Sequence, residues 1–254
     1  RGGFEVTIIS PVQHSLRDFF NYKSAPEIWK QENQVAVLQK ETINRYPKIE
    51  RLAFRSYQTL SVNLLKNAIH KRGKPDVVYI HSSLWAGAAL GSFLNNHNIP
   101  FAVSEHVMTF LQGDRFSAFQ KSAIKKTYKF AHSIVAPSLV LKKNIAHQFS
   151  EFSSKIRIIP NPADFSKFQI KSHKQSPNFQ FVSVACFRPE KRIDLLLNSF
   201  SLVHKIYHNT HLTIVGDGPL RKQIIKQILM LKLQSSVTLR GYLNKQDVAE
   251  ELEN

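Results

Sequence analysis

The sequence predicts an α/β protein made of two tandem, doubly wound parallel sheets, over residues 1–163 and 164–254. Three observations point there. Short β-branched runs alternate with segments of helical period along the whole chain, the pattern of parallel strands covered by helices. Small polar clusters follow the strand candidates directly, where such sheets bind ligands. Finally, Pro160-Asn161-Pro162 and the polar, aperiodic stretch to residue 178 interrupt the alternation. Proline fixes its own φ and restricts the residue before it, so the pair ends a strand and redirects the chain. We read this break as an interdomain linker, with a cleft between the domains.

Taken in order, the strand candidates are residues 6–9, 35–38, 77–80, 101–104, 133–136, 156–159, 181–185, 212–215 and 237–239. Each is a short β-branched run bounded by polar or turn residues. Between the second and third, Ala53, Tyr57, Leu60, Leu64 and Ala68 recur every three or four residues, so one helix face is apolar. Gly73 and Pro75 end that helix. Further helices are expected over residues 84–96, 116–130, 139–149, 193–207, 220–231 and 245–252.

The 254 residues are 43% hydrophobic and 21% charged, which excludes disorder and low-complexity classes. No apolar run approaches the roughly 18 residues of a membrane span. The single cysteine, Cys186, has no partner for an internal disulfide, suits a reducing cytosol, and reads as a small buried residue rather than a nucleophile. Thirty-five Lys and Arg against 18 acidic residues give +17, which favours anionic partners such as phosphates, nucleotides, nucleic acid or acidic lipid surfaces. Lys121, Lys125, Lys126 and Lys129 share one candidate helix with the apolar Phe116, Phe119, Ile124 and Tyr128, either as a lipid-facing patch or as an ordinary solvated face.

Four clusters stand at strand ends: His81-Ser82-Ser83, Glu105-His106, Phe187-Arg188-Pro189-Glu190-Lys191-Arg192 and Gly216-Asp217-Gly218-Pro219. In the last, the glycines let the backbone approach a ligand and Pro219 is suited to opening a helix. The dinucleotide GxGxxG and P-loop spacings are absent, and so is the acidic residue a nicotinamide-dependent dehydrogenase needs.

In order and spacing these clusters resemble the family-4 retaining glycosyltransferases, whose two-domain fold is the GT-B type. The carrying motifs are Gly3-Phe4-Glu5-Val6-Thr7-Ile8-Ile9, Asp76-Val77-Val78-Tyr79-Ile80-His81, Ser104-Glu105-His106 and Ile158-Ile159-Pro160-Asn161-Pro162. Beyond the linker they are Arg188-Pro189-Glu190-Lys191-Arg192-Ile193-Asp194, Ile214-Val215-Gly216-Asp217-Gly218-Pro219 and Val237-Thr238-Leu239-Arg240-Gly241-Tyr242. The resemblance implies transfer of a sugar from a nucleotide-diphosphate donor, such as a UDP- or GDP-sugar, without cofactor or metal. It places the donor on the C-terminal domain and a glycan or lipid-linked acceptor on the N-terminal one. The setting is surface polysaccharide or lipid-linked glycan synthesis, in the cytoplasm or peripherally at an anionic inner membrane face. It also implies a strand and glycine-rich loop before residue 3 and a Glu-x7-Glu segment after residue 254, so that this stretch by itself is expected to be inactive.

Residue by residue, the resemblance gives His106 the position facing the donor sugar and gives Arg188, Lys191, Gly216, Gly218, Pro219, Gly241 and Tyr242 the donor side. Cleavage of a glycosyl–diphosphate bond leaves negative charge on the phosphates, which fixed cations stabilise. Arg188 and Lys191 are the catalytic candidates there, a planar fork beside a point charge. Many relatives carry Gly-Arg where this chain has Ala185-Cys186, so Arg188 is the candidate replacement for that arginine. His81, Glu105 and Asn161 complete the cleft candidates, with Glu105 either orienting His106 or lying on the surface. A nucleotide-sugar epimerase of the same fold, and a basic module binding nucleotides or nucleic acid without catalysis, stand as alternatives. No helix-turn-helix, zinc or RNA-recognition pattern supports the latter.

Overall fold

The computed structural model describes residues 3–15, 26–32, 35–106, 108–111, 115–162 and 179–253. They form two compact units, residues 1–161 and 162–254, each described by itself. The expected linker segment 163–178 lies outside the described residues.

Unit 1 holds two sheets. The first is β1 (Thr7–His14), β3 (Val35–Ile43) and β2 (Ile28–Glu32) in the order β1-β3-β2. β1 and β3 are parallel, whereas β2 runs antiparallel to β3 from Ile28 opposite Gln39 to Glu32 opposite Val35. The expectation of parallel pairing throughout is thus corrected. β2 carries one β-branched residue and three charged or amide side chains, so its sequence lacks a strand signal, yet these residues suit an edge open to water. β1 and β3 also run several residues beyond the expected ends, because their partly buried second halves pair with each other rather than with a core.

The second sheet is β4 (Val78–His81), β5 (Phe101–Ser104), β6 (Ser133–Ala136) and β7 (Ile156–Ile158), all parallel and in chain order. Between these strands run α2 (Ala88–Asn96), α3 (Ala118–Phe130) and α4 (Leu139–Gln148). Phe101, Val103, Ile134, Ala136 and Ile156 from the strands meet Leu94, Ile124, Tyr128 and Ile145 from the helices in one fully buried core. The long helix α1 (Glu50–Arg72) serves both sheets, with Leu60, Leu64 and Ala68 on Leu38 of the first and Leu65 in the core of the second. No described helix is long and apolar enough to cross a membrane.

Helix ends are set by specific side chains. Ser117 and Gln120 form a capping box at the start of α3, and Gln120 also donates to Glu50 on α1. At its other end the Lys155 ammonium donates to the carbonyls of Tyr128, Lys129 and Ala131 at 2.9, 2.9 and 2.8 Å. A cation there satisfies carbonyls that have no partner within the helix and complements its dipole.

Unit 2 has a parallel sheet in the order β10-β9-β8, from β8 (Phe179–Val184), β9 (Thr210–Val215) and β10 (Val237–Gly241). Helices α5 (Ile193–Ile206), α6 (Arg221–Met230) and α7 (Lys245–Glu253) connect or follow these strands. Its core joins Leu212, Ile214 and Val237 to Ile193, Leu197, Phe200, Ile224 and Ile228, with Phe187 fully enclosed.

Lys155→Met keeps the aliphatic stem and deletes the ammonium. It is expected to lower the unfolding free energy of unit 1 by about 1–3 kcal/mol, the range for hydrogen bonds to a charged group. Urea unfolding followed by circular dichroism measures this, and an unchanged midpoint would show that water satisfies the three carbonyls equally well.

Candidate functional site

The site candidates of unit 1 gather at the carboxyl ends of β4 and β5. The parallel register sets His81, last residue of β4, beside Ser104, last residue of β5. Just past the end of β5, His106 meets the Ser104 side chain while Glu105 turns to Ser83 and Tyr128. The Ser104 hydroxyl lies 2.8 Å from Nε2 of His106 and 3.3 Å from Nδ1 of His81. The two imidazoles stack with centroids 5.6 Å apart and planes at 29°, and Tyr79 packs edge-on against His81. Both histidines are exposed while Ser104 is fully buried.

Glu105 corrects both sequence readings, since it neither lies on the surface nor reaches His106. Its side chain is 0% exposed. Oε1 accepts the Ser83 N–H at 3.2 Å and the Tyr128 hydroxyl at 2.8 Å, while Oε2 has no partner among the described residues. The buried Ser83 hydroxyl likewise has no partner among the described residues. Burial pushes the Glu105 carboxyl up to about 7, against the hydrogen bonds from Ser83 and Tyr128, which favour the carboxylate. The Tyr128 hydroxyl is in turn held well above its usual range by burial and then by the neighbouring carboxylate, so it donates.

The chain reaches this arrangement through an unusual corner. Ser82 adopts φ 75° and ψ 127°, a conformation uncommon for a side-chain-bearing residue. Its N–H donates to the Ser104 carbonyl at 2.8 Å, and Ser83 then starts one wide helical turn, Ser83–Gly87, that runs into α2. The helix expected from residue 84 therefore begins with a widened turn. Gly87 is required there, because a Cβ would sit 2.5 Å from Thr127 Cγ2 on α3. Thr127 also donates to the Ser83 carbonyl at 3.1 Å.

In unit 2 the loops after β8 and β9 are joined by backbone hydrogen bonds, Phe187 N–H to Asp217 O at 2.9 Å and Leu220 N–H to Phe187 O at 3.1 Å. Gly216 (φ +140°) and Gly218 (φ +156°) make this contact possible. A Cβ on Gly216 would lie 1.9 Å from the Ala185 carbonyl oxygen, and one on Gly218 2.8 Å from that of Phe187. The close approach these glycines permit is thus to the neighbouring loop. Pro219 lies two residues ahead of Arg221, the first residue of α6, rather than in its opening turn.

Arg188 precedes a short 3-10 turn, Pro189–Lys191, and the Lys191 N–H donates to the Arg188 carbonyl at 3.0 Å. Arg188 itself is extended, with φ −122° and ψ 156°, so Lys191 alone of the two cations lies within the turn. Both are exposed and neither forms an ion pair among the described residues, whereas Arg192 is engaged by Asp194 through two bonds of 3.0 Å. Cys186 is exposed, not buried as expected, because the buried position of this loop belongs to Phe187. Gly241 accepts the Gly216 N–H at 2.7 Å, Tyr242 beside it is 85% exposed, and Asn161 is exposed beyond β7. Among the described residues no cluster of three His, Cys, Asp or Glu side chains is arranged to hold a metal ion. From the sequence, Ser104 had no site role beyond its place in a motif, and Tyr128 none beyond that of an apolar residue; strand register reveals the first and packing the second.

Comparison with known proteins agrees with this architecture. The family model for Glycosyltransferase Family 4 matches residues 1–167, and that for Glycosyl transferases group 1 matches residues 164–254. A Methanocaldococcus jannaschii protein described as an uncharacterized glycosyltransferase is 33% identical over 128 residues, 47% of this chain and 32% of its own length. Among solved structures, TarM of S. aureus, in a complex containing UDP, superposes with a TM-score of 0.53 at 20% identity over 73% of this chain and 36% of its own. The lipopolysaccharide outer core galactosyltransferase WaaB gives 0.55 at 14% identity over 98% and 72%. A trehalose-6-phosphate structure from E. coli, bound with UDP-2-fluoro glucose, gives 0.67 at 6% identity over 95% and 68%. The matches span about a third of the M. jannaschii protein and of TarM. The fold is an α/β fold of the GT-B type, and the chain belongs to glycosyltransferase family 4.

The Glu105 carboxyl gives the site a pH signature. An acid whose folded pKa of about 7 exceeds its ordinary 4.5 takes up a proton on folding between those values, so its contribution to stability falls as pH rises through that window. Glu105→Gln removes this dependence. Relative to the parent, the variant is expected to gain roughly 2–3 kcal/mol between about pH 5 and about pH 8. Urea unfolding of both proteins at the two pH values checks it, and parallel changes would place the buried proton elsewhere.

Proposed function

We propose that this protein is a retaining glycosyltransferase that moves a sugar from a nucleoside diphosphate donor to a glycan or lipid-linked acceptor in surface polysaccharide or lipid-linked glycan synthesis. The observation that carries this reading is that the two family models tile the chain in tandem, residues 1–167 and 164–254. In unit 2, Arg188 and Lys191 serve the donor diphosphate, and their charge counts for more as the glycosidic bond breaks and the leaving phosphate gains charge. Gly241 and Tyr242 stand near the nucleotide. In unit 1, His106 hydrogen-bonds the donor sugar at the reacting end. The UDP in the TarM complex supports a nucleotide of this class.

In the enzyme at full length, Lys191→Ala is expected to raise the donor KM and lower kcat, with a loss of roughly 10²–10³-fold in kcat/KM. His106→Ala lowers kcat while leaving nucleoside diphosphate binding nearly unchanged, since that ligand lacks the sugar. Calorimetry with the diphosphate and steady-state kinetics separate the two. Loss of diphosphate binding in His106→Ala, with retention in Lys191→Ala, would overturn the division of roles.

The same reading places the enzyme in the cytoplasm, with peripheral contact to an anionic membrane through α3. Lys126 and Lys129 are exposed there, and Lys125 is paired with Glu151 at 2.8 Å. Reversing both charges, Lys126→Glu with Lys129→Glu, is expected to weaken partitioning to phosphatidylglycerol vesicles roughly tenfold or more. Equal cosedimentation of parent and variant would remove the membrane from this reading.

A further inference from the structure

Ser104 stands between two imidazoles, and its chemistry restricts what they can be. A hydroxyl carries one proton to donate, and a neutral imidazole has one N–H and one bare nitrogen. The Ser104 oxygen is 2.8 Å from Nε2 of His106 and 3.3 Å from Nδ1 of His81, both within hydrogen-bond reach. If Ser104 donates to His106, then His106 holds its proton on Nδ1, and His81 satisfies the serine oxygen by donating from its own Nδ1. If instead Ser104 donates to His81, both rings hold their protons on Nε2. Among the described residues the fully buried Ser104 hydroxyl meets no other acceptor, so its proton goes to one of the two rings, and in either direction the histidines share one tautomer.

The nitrogens that Ser104 leaves over are Nδ1 of His106 and Nε2 of His81. In either state one of these is a donor and the other an acceptor. Ser104 can hold this role because it is itself fixed. It is 0% exposed, its backbone is in register with His81, and its carbonyl accepts the Ser82 N–H at 2.8 Å. Glu105 does not compete for the rings, since its carboxylate faces Ser83 and Tyr128.

We infer that Ser104 is a positioning residue that locks His81 and His106 into matched tautomers, so that the pair offers one hydrogen-bond donor and one acceptor to the hydroxyls of a bound sugar. A hydroxyl both donates and accepts, so two vicinal hydroxyls, or one hydroxyl between the rings, fit either polarity. A carboxylate or phosphate, which only accepts when ionised, does not. The sugar as ligand rests on the transferase reading; the locking of the rings does not.

Tautomers are assigned by the chemical shifts of the ring nitrogens, which long-range proton–nitrogen spectra of the ¹⁵N-histidine-labelled chain report directly. The spectra are taken at about pH 8.5, some two units above the ordinary histidine range. His81→Gln and His106→Gln identify the two signals. The expected result is a single, shared tautomer for both rings in the parent, loss of that match in Ser104→Ala, and its return in Ser104→Thr. Opposite tautomers in the parent overturn the inference even if Ser104→Ala fails to fold, as does a Ser104→Ala spectrum identical to the parent's.

Kinetics of the full-length enzyme supply the second readout. Ser104→Ala is expected to lower kcat roughly 10–100-fold with little change in donor KM, the size of effect seen when a partner that orients an imidazole is removed, and Ser104→Thr to restore it. Unchanged kcat in Ser104→Ala overturns the positioning role. Matched tautomers with no sugar transfer by any form of the enzyme would support the locking and place the error in the transferase reading.

Discussion

The arrangement of unit 1 depends on one buried carboxyl. Glu105 leaves the end of β5 and accepts hydrogen bonds from the Ser83 N–H, where the helix after β4 begins, and from the Tyr128 hydroxyl on α3. Three elements that are distant in sequence are thereby held at fixed relative positions. A negative group is favoured at a helix N-terminus, yet burial resists the charge, and the balance of these effects leaves the carboxyl near neutrality in its titration. Among the described residues its second oxygen and the Ser83 hydroxyl have no partner in the interior, which concentrates polar cost at this one point.

The opposite side of the same strand end carries the histidine pair. Glu105 is buried toward Ser83 and Tyr128 while Ser104 and His106 meet each other, and parallel register brings His81 beside Ser104. The strained backbone of Ser82 completes the corner, since it lets His81 stay exposed while the next residue turns its N–H inward. Buried anchors and exposed histidines are thus interleaved residue by residue, so substitutions at Ser82, Ser104 and Glu105 are expected to disturb both.

Unit 2 solves a related problem with backbone instead of side chains. Its two loops are tied directly to each other, which only glycine at residues 216 and 218 permits, and Phe187 fills the space beneath them. Arg188 lies just ahead of the short turn that holds Lys191, and the Lys191 N–H donates to the Arg188 carbonyl. In the proposed function a positive charge held in place acts on the developing anion with little reorganisation.

The sequence by itself determined the order of the elements, the apolar stripe of α1 and the clusters at strand ends, since β-branched runs, helical spacing and turn residues act locally. It also marked His81, His106, Arg188 and Lys191, whose chemistry stands out from their neighbours. The β2 strand escaped it because an edge strand of charged and amide residues gains its pairing from β3, not from its own pattern. The burial of Glu105 and the exposure of Cys186 were decided by what packs around them, Tyr128 in one case and Phe187 in the other. Ser104 became a partner of two histidines only when β4 and β5 aligned. Burial and register are properties of residues some 20 positions apart brought into contact, and no local pattern encodes them.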